Sequence, residues 1–183
     1  MKLGNGSALL DPVAVLAEAG LAVGQSYADF GAGTLGHFVF PASEMVGKDG
    51  KVWAVDILKG ALAGIESRMK IEGVNNVKPV WGDIERVNGV AIPDGSADLV
   101  SITNITSLVK KSPGTLNEVK RVLTPRGTLL LVDWNKDGAS FGPPAARRMD
   151  PDEIQAVARQ AGFALAKAFR AGPHHWGLVL KKA

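Results

Sequence analysis

Residues Ala28 to His37 read ADFGAGTLGH, a short apolar segment that breaks into glycines and continues into a second apolar segment. Glycine has no Cβ, so Gly31, Gly33 and Gly36 allow a sharp turn and a close approach of the backbone to a ligand. A helix that starts after such a loop presents free N–H groups to a negatively charged group. The segment therefore predicts a strand, a ligand-binding loop and a helix, as in nucleotide-binding α/β folds.

The next predicted strand ends on an acid. Residues Lys51 to Ile57 read KVWAVDI, and Asp56 stands 20 positions after Gly36. An acid at the tip of this strand can accept hydrogen bonds from the two hydroxyls of a ribose. Gly31 to Gly36 also spells the G-x-G-x-x-G of dinucleotide sites, so the loop by itself leaves a nicotinamide cofactor open as an alternative.

Two further segments carry a resemblance to a known family. Val77 to Ile84 reads VKPVWGDI, a third strand, and Glu118 to Trp134 reads EVKRVLTPRGTLLLVDW, a helix, a turn and a fifth strand. Together with ADFGAG, these segments resemble the class I S-adenosylmethionine (SAM) methyltransferases, and among them the ubiquinone/menaquinone-type methyltransferase-domain proteins. The resemblance implies SAM as cofactor and a Rossmann-like, doubly wound α/β sheet of seven strands, mostly parallel with an antiparallel C-terminal strand.

The resemblance also implies a set of cofactor-binding residues at successive strand ends: Asp29, Gly31, Ala32, Gly33, Asp56, Ile57, Gly82, Asp83, Ile84 and Asn104. Asp29 is expected to orient the loop and the methionine amino group, and Asp83 to face the adenine amino group. For Asp83 the alternative is an N-cap of a short helix that starts at Ile84. The chain departs from the family's usual D-x-G-x-G-x-G at Leu35, which occupies the place of the last glycine.

The acceptor side is expected at the ends of strands four, five and six. His174 and His175 lie in a predicted hairpin turn at the same sheet edge as the cofactor, where a histidine could deprotonate an acceptor at neutral pH. The alternative is that the two histidines only complete the turn. Asp133, at the end of strand five, is the substitute base, and the segment from Asn135 to Met149 is long enough to be a lid.

Hydrophobic periodicity and turn residues predict helices alternating with strands. Continuous apolar strands are typical of a sheet that is covered on both faces. The predicted helices cover residues 11–19, 36–46, 58–71, 113–123 and 150–161, and the predicted strands cover 26–30, 52–55, 77–81, 97–102, 128–132, 163–169 and 176–181.

The amino-acid composition excludes several classes of function. The 183 residues are 46% apolar, enough to bury a full core, and predict one methyltransferase domain over residues 1–183. The absence of cysteine excludes disulfides and thiolate metal sites, and no metal site is expected. The net charge of +3 comes from scattered Lys and Arg, so no nucleic-acid partner is expected. No long apolar run is present, which predicts a cytoplasmic protein without a membrane span.

These observations predict an enzyme that transfers a methyl group from SAM to a small-molecule or lipid-like acceptor. The absence of an Asn/Asp-Pro-Pro-aromatic motif after strand four argues against methylation of base amines. Two alternatives stay open: a SAM- or adenosine-binding module without catalysis, and an oxidoreductase that binds NAD. A homodimer is left open as an assembly.

Overall fold

The structure is a computed structural model that describes residues 9–137 and 140–183. Helices and strands alternate along the chain, as the periodicity predicts. The helices are α1 (Pro12–Glu18), α2 (Val39–Val46), α3 (Lys59–Glu72), α4 (Ser107–Lys111), α5 (Pro113–Val122) and α6 (Pro151–Gln160). The strands are β1 (Ser26–Phe30), β2 (Lys51–Asp56), β3 (Val77–Trp81), β4 (Ala97–Thr103), β5 (Leu123–Trp134), β6 (Phe163–Arg170) and β7 (His175–Lys182).

The seven strands form one sheet in the order β3-β2-β1-β4-β5-β7-β6. The first five strands pair in parallel, and β7 runs antiparallel between β5 and β6. The predicted fold class is confirmed. The strand order reverses between β1 and β4, and ligands of open α/β sheets bind beyond the carboxyl ends of the strands at such a point.

Both faces of the sheet are buried. Phe30, Val100 and Leu131 belong to the core on one face, and Tyr27 and Leu130 belong to the core on the other. Because side chains alternate along a strand, a strand covered on both faces must be apolar at nearly every position. This burial explains the continuous apolar runs that predicted the central strands.

Three local boundaries differ from the prediction. Helix α2 begins at Val39 rather than near Gly36, because Gly33 and Gly36 adopt left-handed backbone angles (φ +64° and +56°) and extend the turn. Strand β5 begins at Leu123, five residues before the predicted start at 128. The short helix α4 was not predicted; it is held by packing, since its Val109 is fully buried in the core.

The predicted helix starts are confirmed where a cap residue marks them. Asp11 accepts hydrogen bonds from the N–H groups of Val13 and Ala14, and Asp150 accepts one from Asp152. Proline occupies the first position of α1 and α6, where its missing N–H costs no helical bond. Over residues 9–137 and 140–183, we find no helix long and apolar enough to cross a membrane.

Candidate cofactor and acceptor site

A cleft of about 410 Å³ opens at the carboxyl ends of β1, β2 and β3. Its volume lies in the range of small-molecule sites. Seven of the ten predicted cofactor-binding residues line it: Gly31, Gly33, Asp56, Ile57, Gly82, Asp83 and Ile84. The other lining residues are Leu58, Glu85, Ile105 and Leu108, and the last three were not found from the sequence because they come from loops and from α4.

The glycine loop passes close to the end of β4. Gly31 has a φ of +92°, and a Cβ at this position would clash with the side chain of Ile105. At Gly33 (φ +64°) no atom lies within 4 Å of the place where a Cβ would be, so this backbone faces open space. Glycine is therefore required at the first position by contact and backbone angle, and the second leaves room for a ligand.

The N–H groups of this loop do not point freely into the cleft. Gly31 and Ala32 both donate to the carbonyl of Val55 at 2.9 Å, and Gly33 donates to Oδ2 of Asp56 at 2.9 Å. These three groups therefore tie the loop to β2. The parallel register of β1 and β2 brings the Val55 carbonyl within reach of Gly31 and Ala32, so the N–H groups of these two residues are not free for a negatively charged group.

Asp56 connects the loop to the start of α3. Its Oδ2 accepts from Gly33 and its Oδ1 accepts from the N–H of Leu58, each at 2.9 Å. An ionised carboxylate has about four acceptor positions, so about two stay available for the hydroxyls of a ribose. Ile57 and Leu58 are 56% and 65% exposed and offer apolar surface beside the carboxylate, as a nucleoside site needs.

Asp83 lines the cleft after the end of β3, the strand next to β2. Its Oδ1 accepts from the N–H of Glu85 at 2.9 Å, and Oδ2 lies 3.5 Å from Nε of Arg86. Residues 84–88 form turns rather than the short helix of the alternative prediction. The Asp83 carboxylate therefore holds a turn and lines the cleft, and its contact with the adenine amino group stays a prediction.

Asp29 lies beneath the glycine loop and does not line the cleft. It is 3% exposed, and Oγ of Ser101 donates to its Oδ1 at 2.9 Å. Ser101 lies in turn 2.5 Å from the hydroxyl of Tyr27. Burial raises the pKa of Asp29 to about 7, with a further contribution from the nearby charge of Asp56. This carboxyl group therefore titrates near neutral pH.

Asn104 marks the end of β4. It is exposed, adopts a left-handed conformation (φ +61°), and its N–H donates to the carbonyl of Val132. Asparagine tolerates this conformation better than most residues. The turn at Asn104 brings Ile105 against Gly31, so Ile105 rather than Asn104 reaches the cleft wall.

Asp133, the predicted substitute base, is already engaged. It is 5% exposed, its Oδ2 accepts from the N–H (3.1 Å) and the hydroxyl (2.5 Å) of Thr106, and its Oδ1 accepts from the N–H of Trp134. These bonds join the loop before α4 to the end of β5. The arrangement favours a positioning role for this carboxylate, and its role as a base stays a prediction.

The two histidines lie at the carboxyl edge, as predicted, but only His174 belongs to the hairpin turn. His175 is the first residue of β7, which runs antiparallel and pairs His175 with Trp134. The His175 ring is 4.3 Å from that of Trp134, and His175 is only 1% exposed. Within the described residues, neither of its ring nitrogens has a hydrogen-bond partner of normal geometry. Burial lowers the pKa of His175 below its usual range, although the charge of Asp133 and the backbone of Leu9 act in the opposite direction. His174 is half-buried, 5.0 Å from the ring of Phe141.

Thr103 is a further polar residue that sequence reasoning missed. Its hydroxyl is buried and, in the part of the chain that the structure describes, has no hydrogen-bond partner. Thr103 pairs with Val132, and Trp134 stands two residues further along β5 beside His175. Because neighbouring paired residues share a face of a sheet, Thr103, Trp134 and His175 lie on one face at this edge. A lone threonine at a strand end carries no signal by which the sequence could have indicated this.

The predicted lid is anchored by Arg148, which is 6% exposed. Its guanidinium donates to the carbonyls of Pro143, Phe141 and Asn135, and lies 5.7 Å from the Trp134 ring. Positions 138 and 139 of the lid fall outside the described residues. The cationic pair 147–148 is thus split: Arg147 is exposed, whereas Arg148 folds the segment over the aromatic residues.

Comparisons with known proteins agree with this geometry. A family profile described as a methyltransferase domain matches residues 22–171. The ubiquinone/menaquinone biosynthesis C-methyltransferase UbiE of Laribacter hongkongensis is 33% identical over 123 residues, which cover 66% of this chain and 48% of that enzyme. The chain thus spans about half the length of this curated relative.

Solved structures extend the similarity over nearly the whole chain. A SAM-dependent methyltransferase from Aquifex aeolicus superposes with a TM-score of 0.88 at 26% identity, and the match covers 97% of this chain and 93% of that one. The cyclase SpnF superposes with a TM-score of 0.76 at 16% identity over 93% of this chain and 79% of its own, which shows the fold alone. With the profile covering most of its length and SAM-dependent enzymes among its relatives, this chain belongs to the SAM-dependent methyltransferase-domain family.

Proposed function

We propose that this protein transfers the methyl group of SAM to a small-molecule acceptor with a hydroxylated aromatic ring, such as a quinol. The observation that carries the proposal is the buried imidazole of His175 beside Trp134, at the same sheet edge as the cleft. Among the described residues, its ring nitrogens make no hydrogen bond of normal geometry. The matched relative, whose name describes C-methylation in ubiquinone and menaquinone biosynthesis, supports the same class of acceptor.

The cleft residues would hold the cofactor at both ends of its nucleoside. Asp56 would accept the ribose hydroxyls with the acceptor positions that Gly33 and Leu58 leave available. Ile57 and Ile84 would pack on the two sides of the base, and Asp83 would accept from its amino group. The bound cofactor supplies an electrophilic methyl group on a sulfonium, so the protein has to align the acceptor and exclude water.

The acceptor edge combines flat apolar surfaces with unsatisfied polar atoms. The rings of Trp134, Phe141 and His174 lie within 4.3 to 5.9 Å of a neighbouring ring and form a surface on which an aromatic acceptor can stack. Within residues 9–137 and 140–183, the buried hydroxyl of Thr103 has no hydrogen-bond partner and the ring nitrogens of His175 have none of normal geometry, so a ring hydroxyl would supply a partner there.

His175 would take the proton of the ring hydroxyl. Because burial lowers its pKa, the imidazole is neutral near pH 7 and has a free lone pair. Removing the hydroxyl proton would raise the electron density at the ring carbon beside it. That carbon would take the methyl group as the sulfonium becomes a neutral thioether, and would then lose its own hydrogen as a proton, which restores the aromatic ring. Since His175 is 1% exposed, the residues packed on it have to move for the acceptor to reach the imidazole.

A second candidate function is binding of SAM without methyl transfer. The cyclase SpnF shares the fold at 16% identity, so this fold by itself does not require methyl transfer. Family membership argues against the NAD-dependent alternative, because neither the profile nor these relatives describe an oxidoreductase.

The test is formation of S-adenosylhomocysteine (SAH) with a panel of acceptors: a prenylated naphthoquinol, a simple catechol and an aliphatic amine. We expect turnover with the quinol, no turnover with the amine, and a loss of about 10² or more in kcat for His175→Asn. SAH binding without turnover of any hydroxylated ring would instead support the binding module.

Other properties stay predictions from the sequence. These are a single domain over residues 1–183, a cytoplasmic location, the lack of a nucleic-acid partner, and a homodimer as an assembly that is left open. Among the described residues, no group of three or more His, Asp or Glu side chains could hold a metal ion.

A further inference from the structure

We propose that Glu118 and Arg121 of α5 are a positioning pair for the cofactor: they hold residues 83–92, the adenine loop, in the shape that aims Asp83 at the base. This inference rests on the proposed placement of adenine beside Asp83. Neither residue lines the cleft, so both would act through the loop.

Glu118 binds the far end of the adenine loop. It is fully buried, and its two carboxylate oxygens accept from the N–H of Asn88 at 2.7 Å and of Val90 at 3.1 Å. Arg121 closes the arrangement with two parallel bonds to the same carboxylate, at 2.9 and 2.7 Å. Such a two-point pair fixes orientation as well as distance.

Arg121 binds the carbonyl groups of the same loop. Its guanidinium donates to the carbonyl oxygens of Val90 at 3.1 Å and Ile92 at 2.8 Å. The pair therefore satisfies donors and acceptors of the loop backbone together. Asn88 also adopts a left-handed conformation (φ +60°), which asparagine tolerates better than most residues.

The far end of the loop is connected to its cofactor end by backbone contacts. Val90 forms a bridge with Gly82, and the N–H of Asp83 donates to the carbonyl of Gly89 at 3.1 Å. A Cβ at Gly89 would clash with the carbonyl oxygen of Asp83, so the two backbones are in direct contact. A shift at Asn88 or Val90 must therefore move Asp83.

The same helix holds the middle of the loop at a second point. A Cβ at Gly114 would clash with the carbonyl oxygen of Glu85, and the hydroxyl of Ser112 donates to that oxygen at 3.3 Å. Positions 114, 118 and 121 follow one another at helical spacing, which places them on one face of α5. This face of α5 therefore contacts the adenine loop at several points and fixes its shape.

The charge of Glu118 is retained in this environment. Burial alone would raise its pKa, but hydrogen bonds from Arg121 and from the N–H groups of Val90 and Asn88 outweigh burial and lower it. Hydrogen bonding to Glu118 likewise raises the pKa of Arg121. Both groups stay ionised at neutral pH, so the acceptors and donors that hold the loop are permanent.

The experiment measures how well the protein distinguishes SAH from S-inosylhomocysteine, which lacks the adenine amino group. Both affinities are measured by calorimetry for the wild type, Arg121→Lys, Glu118→Gln, Asp83→Asn and the double variant Asp83→Asn/Arg121→Lys. The control is Glu18→Gln, which removes one partner of an exposed ion pair with Lys167 on α1 and β6.

We expect the wild type to prefer SAH by about tenfold, and Asp83→Asn and Arg121→Lys each to lose most of this preference. The double variant should lose no more than either single variant, because both changes act on one contact. Glu118→Gln should behave as Arg121→Lys if it folds, and Glu18→Gln should match the wild type.

A folded Arg121→Lys with unchanged preference overturns the inference, and so do additive losses in the double variant. Absence of preference in the wild type refutes the placement of adenine beside Asp83, and the inference with it. One measurement needs no variant: amide hydrogen exchange at Asn88 and Val90 should slow when SAH binds. Unchanged exchange there would also overturn the inference.

Discussion

Replacement of Asp56 by alanine tests the cofactor site most directly. Asp56 accepts one hydrogen bond from Gly33 and one from Leu58, each at 2.9 Å, and has about two acceptor positions left for a ribose. The change removes a charged acceptor from the ligand and also releases the glycine loop from β2. Both effects lower affinity for the cofactor.

The magnitude follows from the two kinds of hydrogen bond. Loss of the charged bonds to the ribose costs about 1.5 to 3 kcal/mol, equal to about 10- to 150-fold in Kd. The N–H groups of Gly33 and Leu58 lie near solvent and can bond to water, so we expect a loss of only about 1 kcal/mol or less in folding stability. Binding should therefore change far more than unfolding.

The assay is calorimetric titration of the wild type and Asp56→Ala with SAM and with SAH, accompanied by thermal unfolding without ligand. Asp98→Ala is the matched control, because Asp98 also accepts a backbone N–H, from Ser26 at 2.9 Å, at the opposite edge of the sheet. We expect the affinities for SAM and for SAH to fall by the same factor. An unchanged Kd in a folded Asp56→Ala would refute the assignment of β2 to the ribose.

Three further predictions address the buried groups and the lid. Since burial raises the pKa of Asp29 from 3.8 to about 7, the folded state holds a proton on this carboxyl group that the unfolded state has lost, so folding stability should fall as pH rises from about 4 to 7 and then level off. In thermal unfolding, Asp29→Asn should abolish this pH dependence, and an unchanged pH dependence would contradict the prediction. If His175 is the base, kcat/KM should fall with decreasing pH at a midpoint below 6.5, because burial lowers its pKa; a midpoint above 6.5 would exclude it. Arg148→Met should increase protease cleavage within 140–149, because it removes the donor to the carbonyls of Phe141 and Pro143. The Kd for SAH should stay unchanged, because Phe141 and Pro143 do not line the cofactor cleft, and a weaker SAH affinity would argue against a lid separate from that cleft.

The predictable part of the site came from short stretches of chain. The sequence predicted three residues of the cleft, Gly31, Gly33 and Asp56, because each directly follows or ends a strand. Parallel strands bring their carboxyl ends to the same edge of a sheet, so these residues meet there. The helix starts at Pro12 and Pro151 were found for the same reason, since a cap and its proline are neighbours in sequence.

Roles that depend on distant partners were not predictable. The sequence predicted Asp133 as the substitute base, yet the hydroxyl of Thr106, 27 residues away, donates a hydrogen bond to one of its carboxylate oxygens. The sequence predicted that Asp29 orients the glycine loop, yet its hydrogen-bond donor Ser101 lies 72 positions later in the chain, and burial raises its pKa. Glu118 read only as part of a helix that resembles a family motif, yet it binds Asn88 across 30 residues.

The sequence by itself therefore determined the succession of helices and strands, the glycine loop and the acids at the strand ends, because periodicity and turn residues are local properties of the chain. The doubly wound sheet was implied by the resemblance to a known family. Only the tertiary structure decided which of these side chains face a ligand and which are hydrogen-bonded to other residues of the protein. Burial and hydrogen bonding between segments set that division, since a carboxylate or imidazole has few bonding positions and its free ones depend on what packs against it.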